Sequence, residues 1–233
     1  MLLQNILRVG FKILKTVKSK MLKLILVRHG QTDWVTEKRY QGNSDIGLNQ
    51  KGLAEALKIG RSLRFETPLA IYTSGLRRAH QSATPLSLMC RKPVIIDKRL
   101  NEISFGRWEG SIHTEIEKRF PRSVRRFYLA RLDSQPDGGE SLKSLGKRIS
   151  SFLKDVMKKY GKSDGTVVVI SHGCPTRMIL IKLLGLPLSI FWSIRVDAGS
   201  FSILRVRADK RIEISLLNGK AHLDFKNGHQ TKE

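Results

Sequence analysis

Leu22-Lys-Leu-Ile-Leu-Val27, followed at once by Arg28-His29-Gly30, is the stretch that decides the fold of this chain. A short run rich in branched apolar residues predicts a buried β-strand, and the polar residues directly after it predict that the strand ends there. The strand end then carries an imidazole beside a permanent cation, a combination suited to holding and attacking phosphate. Three common residues identify no site alone, so their partners must come from the rest of the sequence.

The remainder of the chain alternates short apolar runs with longer amphipathic stretches. Such alternation predicts an α/β fold, a three-layer sandwich whose mostly parallel central sheet carries helices on both faces. No stretch within 21–223 resembles a flexible linker, so a chain of this length predicts one domain there. Further strands are predicted at 69–73, 94–96, 166–170, 201–206 and 211–216, and helices at 51–63, 76–88, 141–160 and 175–184.

The chain is strongly basic, because 43 Lys and Arg side chains against 20 Asp and Glu give a formal net charge of +23. This charge favours anionic partners, namely phosphorylated ligands, nucleic acid or an acidic membrane. Basic and aromatic residues are not interleaved as a base-stacking platform, so specific nucleic-acid binding is not expected. No metal-ligand spacing, Walker A motif or dinucleotide fingerprint occurs, so neither a metal nor another cofactor is expected.

Cysteine content and hydropathy indicate the compartment. The two cysteines, Cys90 and Cys174, are too few for a disulfide framework and form no C-x-x-C pair. No apolar run reaches the roughly 18 to 20 residues that a membrane-spanning helix needs. We therefore expect a cytoplasmic protein.

The first twenty residues, 1–20, differ from the rest of the chain. Apolar residues recur there at helical spacing, basic residues fall largely between them, and no acidic residue occurs before Asp33. One interpretation is a basic amphipathic extension that makes weak contact with a membrane surface. The alternative, which we favour, is that translation begins at Met21 and that this extension is not made. At the other end, residues 224–233 are predicted to form a polar tail.

Polar residues follow three of the predicted parallel strands. Arg28 and His29 follow the first, Arg78 lies shortly after the second, and Ser171-His172-Gly173 follows the most apolar run. The carboxyl ends of parallel strands open into one crevice, where helix N-termini direct N–H groups at bound anions. Glu102 comes soon after another of these strands and can reach the same crevice. We therefore expect two histidines, at least two arginines and one carboxylate to meet there.

Short motifs occur along the chain in a fixed order. They are Arg28-His-Gly-Gln-Thr32, Tyr40-Gln-Gly-Asn-Ser-Asp45, Ser74-x-Leu-x-Arg78-Ala, Glu102 with Gly106-x-Trp-Glu-Gly110, Gly138-Gly-Glu-Ser141, and Ser171-His-Gly173 with Arg177. In these motifs the chain resembles the histidine phosphatase superfamily, the phosphoglycerate-mutase-like proteins. It is most similar to the phosphatase branch, with its α-ribazole phosphatases and broad-specificity phosphatases. The resemblance covers about Met21 to Leu223.

The resemblance implies a separate role for each of five catalytic residues. His29 would attack phosphorus and form a phosphohistidine, which divides hydrolysis into two easier steps. Arg28 and Arg78 would hold the phosphoryl oxygens and help to keep His29 unprotonated. His172 would add a further donor. Glu102 would protonate the departing alkoxide and then take a proton from the attacking water.

The resemblance also implies a set of substrate-binding residues. Gln31, Thr32, Gln41 and Gly42 would lie on the loops around the phosphate. Gly173 would allow the chain to approach the ligand closely. The implied mechanism needs no metal ion and no other cofactor.

Two positions depart from simple expectations. The family often has asparagine five residues after the glycine of Arg-His-Gly, and here Val35 occupies that place. An amide donor is therefore missing, which lowers activity or changes the substrate range unless a neighbour supplies the hydrogen bond. Cys174 follows Gly173, but a cysteine phosphatase loop needs arginine five residues beyond the cysteine, and Arg177 is only three beyond it. Cys174 is therefore expected to pack at the start of a helix.

The segment 111–137 is predicted to form a basic helical lid over the site. In one interpretation this lid sets substrate choice and favours polyanionic or bulky phosphates. In the other, which we favour, it is a solvated helix face that only adds to the net charge. The segment carries the basic residues Lys118, Arg119, Arg122, Arg125, Arg126 and Arg131, and 118–131 contains no acidic residue.

The sequence thus predicts a phosphomonoesterase that hydrolyses a small phosphorylated metabolite, as a monomer or homodimer. Two alternatives stay open. One is mutase-type phosphoryl transfer of the kind that phosphoglycerate mutases perform, although the added substrate-binding segments of those enzymes are not found. The other is a non-catalytic anion-binding protein, which the charge supports but no recognition motif does.

Overall fold

A computed structural model of the protein describes residues 20–224. The strands are β1 (Met21–Arg28), β2 (Ala70–Thr73), β3 (Val94–Ile96), β4 (Gly165–Ser171), β5 (Phe201–Arg207) and β6 (Ile212–Gly219). They form one six-stranded sheet in the order β3-β2-β4-β1-β5-β6. The four strands from β3 to β1 pair in parallel, whereas β5 runs antiparallel to both of its neighbours. The predicted mostly parallel sheet is therefore confirmed, with one strand reversed.

Helices connect the parallel strands, as the alternating sequence pattern predicts. The four long helices expected from the sequence correspond to α2 (Gln50–Leu63), α3 (Arg77–Cys90), α6 (Leu142–Tyr160) and α7 (Gly173–Leu184). No helix within residues 20–224 is long and apolar enough to cross a membrane. The predicted N-terminal extension and the polar tail lie outside the described residues, apart from Lys20 and Asp224. The helices are α1 (Asp33–Thr36), α2 (Gln50–Leu63), α3 (Arg77–Cys90), α4 (His113–Arg119), α5 (Pro121–Tyr128), α6 (Leu142–Tyr160), α7 (Gly173–Leu184) and α8 (Ala221–Asp224).

The central strand β1 shows why helices cover both faces of the sheet. Successive side chains of a strand point to opposite faces, and both sets are apolar here. Leu24 and Leu26 belong to the core cluster that contains the buried side chains of α6 and α7. Ile25 and Val27 belong to a second cluster, with buried side chains of α2 and α3. All four are completely or almost completely buried, which confirms the predicted three-layer arrangement.

Local signals fix where the helices begin and end. The side chain of Asn49 accepts a hydrogen bond from the backbone N–H of Gly52, which caps α2. Ser141 caps α6 in the same way. Helix α7 starts at Gly173, directly after β4, and ends at Gly185, whose φ of 64° suits glycine. The short connection between β4 and α7 places the helix N-terminus at the sheet edge where the polar residues lie.

The predicted lid contains α4 and α5, and it is anchored by one aromatic side chain. Phe127 is completely buried and packs edge-on against Phe105, Trp108 and Trp192, with ring centroids 5.1–5.9 Å apart. The basic residues of the segment point the other way, and all of them are exposed. Their side chains therefore form a solvated surface.

We expect Phe127→Ala to lower the free energy of unfolding by about 3–5 kcal/mol, because it removes the buried ring that joins the lid to the core. The matched control is Leu129→Ala, two positions further on, where the side chain is 56% exposed. The control should change stability by less than about 0.5 kcal/mol. Urea unfolding of both variants measures the difference, and equal small losses would contradict the described packing.

Candidate active site

The site lies where β1, β2 and β4 end. The backbone N–H of His29, just after β1, donates to the carbonyl of Ser171 at 3.0 Å, and that of Ser74, just after β2, donates to Ile170 at 3.3 Å. These bonds continue the parallel sheet beyond the strands and bring the loops together. The rings of His29 and His172 consequently lie with centroids 5.0 Å apart. The expected convergence of residues at the strand ends is present in the structure.

His29 is buried and held in one tautomer. Its Nδ1 lies 2.7 Å from the carbonyl oxygen of Gly30. A carbonyl can only accept a hydrogen bond, so Nδ1 carries the ring proton and Nε2 keeps a free lone pair. Burial first, and then the charges of Arg78 and Arg28, hold the pKa of His29 well below its ordinary value of 6.5. The imidazole is therefore a neutral base with its nucleophilic nitrogen on the side opposite Gly30.

His172 is equally buried and also neutral. Its Nε2 lies 2.7 Å from the hydroxyl of Ser74, whose oxygen accepts a hydrogen bond from the N–H of Leu76. The hydroxyl can donate its own proton to Nε2, and the ring proton of His172 then lies on Nδ1. Burial and the charge of Arg78 lower its pKa well below 6.5. Among residues 20–224, its Nδ1 is buried and has no hydrogen-bond partner. This nitrogen is free to contact a ligand oxygen beside His29.

Arg28 and Arg78 are held by backbone carbonyls. Arg28 donates from Nη1 to Val196 at 2.7 Å, and Arg78 donates from its two Nη groups to Ser44 and Gly42 at 2.8 and 2.7 Å. Within the described part of the chain neither arginine pairs with a carboxylate. Burial lowers the pKa of Arg28 and lowers the pKa of Arg78 to about 10. Both side chains keep their charge at neutral pH, as guanidinium groups do in proteins, and the negative charge of Glu102 acts on both without forming an ion pair with either.

Glu102 is fixed at the N-terminus of α7. Its Oε1 accepts from the N–H groups of Ile103 and Cys174 at 2.9 and 3.2 Å, and its Oε2 accepts from Gly173 at 3.1 Å. The helix end thus aims its free N–H groups at the carboxylate. Burial, and after it the negative charge of Glu102, raise the pKa of the Cys174 thiol well above 9.0. Cys174 is accordingly a neutral, buried residue at the start of the helix, as the sequence predicts.

A second side chain holds the Glu102 loop in place. The guanidinium of Arg148, on α6, donates to the carbonyls of Asn101 and Glu102 and forms a bidentate ion pair with Glu140. The sequence reasoning missed Arg148, because nothing in its helical context distinguishes it from the other exposed cations of α6. Glu140 belongs to the Gly138-Gly-Glu-Ser141 motif. This motif therefore supports the site through Arg148, although it lies far from the phosphate-binding residues in sequence.

One cavity of about 360 Å³ is lined by four of the five predicted catalytic residues, whereas His172 lies behind its surface next to His29 and does not line it. Its polar end is formed by His29, Arg28, Arg78 and Glu102. Its outer walls are aromatic, and one of them is tied to the lid by the hydroxyl groups of Tyr40 and Tyr128, which lie 3.2 Å apart. The remaining lining residues are Trp34, Val35, Lys38, Arg39, Gln41, Phe105, His113, Gly173, Cys174, Arg177 and Trp192.

The predicted substrate-binding residues divide into two groups. Gln41 and Gly173 line the cavity, whereas Gln31, Thr32 and Gly42 do not. Gln31 accepts a side-chain hydrogen bond from Asn49, and Thr32 caps α1. Gly42 has a φ of +52°, and its carbonyl receives Arg78. These three residues shape the loops that carry the charged groups.

Val35 lines the cavity and can donate no side-chain hydrogen bond there. Gln41 lines the same cavity, and its side chain is of the amide type that Val35 lacks. None of the six basic lid residues lines the cavity. The lid contributes His113 and Tyr128, so substrate choice through lid arginines has no support in this geometry.

Nitrogen NMR on histidine-labelled protein should show His29 as the neutral Nδ1–H tautomer down to about pH 6, half a unit below the ordinary histidine pKa. Its resonances are assigned as those that disappear in His29→Gln. The Gly30 carbonyl on Nδ1 fixes the tautomer, and burial first, then the charges of Arg78 and Arg28, oppose a second proton on the ring. An imidazolium pattern for His29 at this pH would contradict the geometry.

Comparisons with known proteins identify the family of the chain. Residues 24–219 match the family model of the histidine phosphatase superfamily (branch 1). Phosphoserine phosphatase 1 of Hydrogenobacter thermophilus is 36% identical over 87% of this chain and 95% of its own length. The metal-independent phosphoserine phosphatase of Arabidopsis thaliana is 32% identical over 72% of this chain and 71% of its own length.

Solved structures show the same fold. Mycobacterial glucosyl-3-phosphoglycerate phosphatase superposes with a TM-score of 0.78 at 26% identity, covering 86% of this chain and all of that one. Bacillus stearothermophilus YhfR superposes with a TM-score of 0.79 at 28% identity, covering 87% of this chain and all of that one. The order of motifs, the neutral His29 between two arginines and the extent of the family match agree, and the chain belongs to the histidine phosphatase superfamily, branch 1.

Proposed function

We propose that this protein is a phosphomonoesterase that hydrolyses a small phosphorylated metabolite through a phosphohistidine on His29. The observation that carries the proposal is the free Nε2 of a neutral His29, held beside two buried arginines that form no ion pair with a carboxylate in the described part of the chain. A neutral imidazole can attack, and unneutralised guanidinium groups can hold a phosphoryl dianion. The relatives named as phosphatases support the same activity.

The first step forms the phosphohistidine. The lone pair of His29 Nε2 attacks phosphorus, the bond from phosphorus to the ester oxygen breaks, and Glu102, as the carboxylic acid, protonates the departing oxygen. Arg28 and Arg78 stabilise the charge spread over the transferring group. His172 adds a contact through its Nδ1. The product alcohol leaves with the proton that Glu102 supplied.

The second step returns the enzyme to its starting state. Glu102, now the carboxylate, takes a proton from a water molecule whose oxygen attacks phosphorus. The bond between phosphorus and Nε2 breaks, and its electron pair returns to the imidazole of His29. Inorganic phosphate then leaves the arginines. Each proton passes through Glu102, which explains why the N-terminus of α7 and Arg148 fix its position.

The cavity supports a small substrate. A volume of about 360 Å³ lies at the lower end of the range for ligand sites and is large enough for a small metabolite. The relatives' names point to phosphoserine and glucosyl-3-phosphoglycerate, both of which are small phosphate esters. Within residues 20–224 no group of three or more His, Cys, Asp or Glu side chains is arranged to hold a metal ion. The proposed chemistry needs none.

Location and assembly belong to the same proposal. We place the enzyme in the cytoplasm, because both cysteines are free and a thiol pair is not needed for the fold. A monomer or a homodimer and a weak membrane contact of residues 1–20 stay predictions from the sequence. Specific binding of nucleic acid is not part of the proposed function.

The test of the proposal is Glu102→Gln, which keeps the size of the side chain but cannot transfer the proton. We expect kcat to fall about 10²- to 10⁴-fold. Release of inorganic phosphate from a panel of metabolite esters gives the rate, because their alkoxide leaving groups need the proton. The matched control is Glu117→Gln on the exposed face of α4, which should retain full activity.

Product analysis separates the alternatives in the same assay. Inorganic phosphate in proportion to the alcohol supports hydrolysis. Isomerised phosphoglycerate without free phosphate would identify a mutase instead. Binding of phosphate esters without any turnover would identify an anion-binding protein and end the proposal.

A further inference from the structure

A third arginine lies in the cavity without a part in the chemistry described above. Arg177, on α7, donates from Nε to the carbonyl of Ile194 at 2.8 Å, and its guanidinium carbon lies 5.4 Å from the ring centroid of Trp192. Both partners are uncharged, so they fix the guanidinium without neutralising it. Among residues 20–224 its two Nη groups form no hydrogen bond or ion pair. They are available to a ligand in the cavity.

Arg177 is close to the phosphate-holding end of the cavity. A methyl group built on Gly173 would lie 3.1 Å from Arg177 Nη1, 3.6 Å from Glu102 Oε2 and 4.0 Å from Arg28 Cζ. These three groups therefore surround one point on the cavity wall. A ligand beside this point can contact Arg28 with one of its functional groups and Arg177 with the neighbouring one.

Two further cations that line the cavity form no ion pair among residues 20–224, Arg177 and the exposed Lys38, and Arg177 is the one placed beside Arg28. A phosphate monoester carries up to two negative charges, which Arg28 and Arg78 together balance. Glu102 is uncharged when it acts as the proton donor, so it does not neutralise Arg177 as the substrate reacts. Arg39 at the rim already pairs with Glu37. Charge balance thus calls for one more negative group on the substrate, near its phosphate.

We propose, on the basis of the phosphatase function above, that Arg177 binds a carboxylate of the substrate and selects phosphate monoesters of small hydroxy acids. A carboxylate carries one charge and presents two oxygens in a plane, which matches the paired Nη groups of a guanidinium. A second phosphoryl group would bring up to two charges to a single arginine. Trp192 holds the plane of Arg177, so it sets the orientation in which the carboxylate is received.

Two substrate pairs test the proposal, because the members of each pair differ mainly in the carboxylate. They are O-phosphoserine with O-phosphoethanolamine, and 3-phosphoglycerate with glycerol 3-phosphate. We expect the wild-type enzyme to favour the acid in at least one pair. In Arg177→Met, the ratio of kcat/KM for the acid to that for its partner should fall about 10- to 100-fold, as expected for loss of a charge-assisted bidentate contact. Most of the loss should lie in KM.

Two further variants make the result specific. Arg177→Lys keeps the charge but not the paired donors, and it should lose part of the selectivity. Lys182→Met removes an exposed cation from the same helix and should keep the wild-type ratio. Each protein is first assayed with p-nitrophenyl phosphate, which shows that it is folded and active.

The outcomes separate this inference from the proposed function. Wild-type protein without activity on any ester would refute the phosphatase function itself. Wild-type activity on p-nitrophenyl phosphate without preference for an acid in either pair would overturn only the role of Arg177. An equal loss for both members of a pair in Arg177→Met would overturn it as well, because that pattern indicates a structural role. A fall in the kcat/KM ratio of the acid to its partner that occurs only in the Arg177 variants supports the role of Arg177.

Discussion

Two buried guanidinium groups that form no ion pair with any carboxylate of residues 20–224 are the constraint on which the rest of the site depends. A charge taken out of water must be compensated, and a carboxylate partner would cancel the charge that phosphate needs. Backbone carbonyls solve this problem, because they accept hydrogen bonds without removing the charge. Arg78 takes its carbonyls from Ser44 and Gly42, and Arg28 takes one from Val196. The surrounding loops are shaped to deliver these groups.

The loop at 41–44 shows that some motif residues act indirectly, by holding other residues of the site in place. Gly42 turns its carbonyl to Arg78 with a φ of +52°, and a Cβ there would lie 2.0 Å from a carboxylate oxygen of Glu109. Glu109 in turn accepts hydrogen bonds from the N–H groups of Asn43 and Ser44. The Gly106-x-Trp-Glu-Gly110 motif therefore supports Arg78 through the loop and makes no contribution to the chemistry itself. The same holds for Glu140, which positions Glu102 through Arg148.

Much of this architecture could be predicted from the sequence, because its signals are local. The apolar runs around Leu24 and Val168 have no interpretation other than buried strands once polar residues and helix starts follow them. Parallel strands then force Arg28, His29 and His172 to one edge. Ser141, at the start of α6, and Gly185, at the end of α7, are local signals of the same kind, because each fixes the end of a helix.

The remaining features depend on where side chains point, which spacing does not encode. Gln31 and Thr32 lie in the motif but turn toward Asn49 and the start of α1. Arg122, Arg125 and Arg126 of the lid are basic enough to bind phosphate, but they lie on the exposed side of α5, and burial of the Phe127 ring decides the orientation of that helix. Arg177 was visible as part of a motif, but only the structure shows its neutral partners.

The neutral, oriented His29 as phosphoryl acceptor is the central claim, and rapid-quench labelling tests it most directly. A phosphate ester labelled at phosphorus is mixed with the enzyme, the reaction is stopped within milliseconds under alkaline conditions, and the labelled peptide is sequenced. The account predicts acid-labile label on the peptide that contains His29, formed before phosphate is released and missing in His29→Ala. Steady release of phosphate with no label on the protein, or label that persists in His29→Ala, would contradict it.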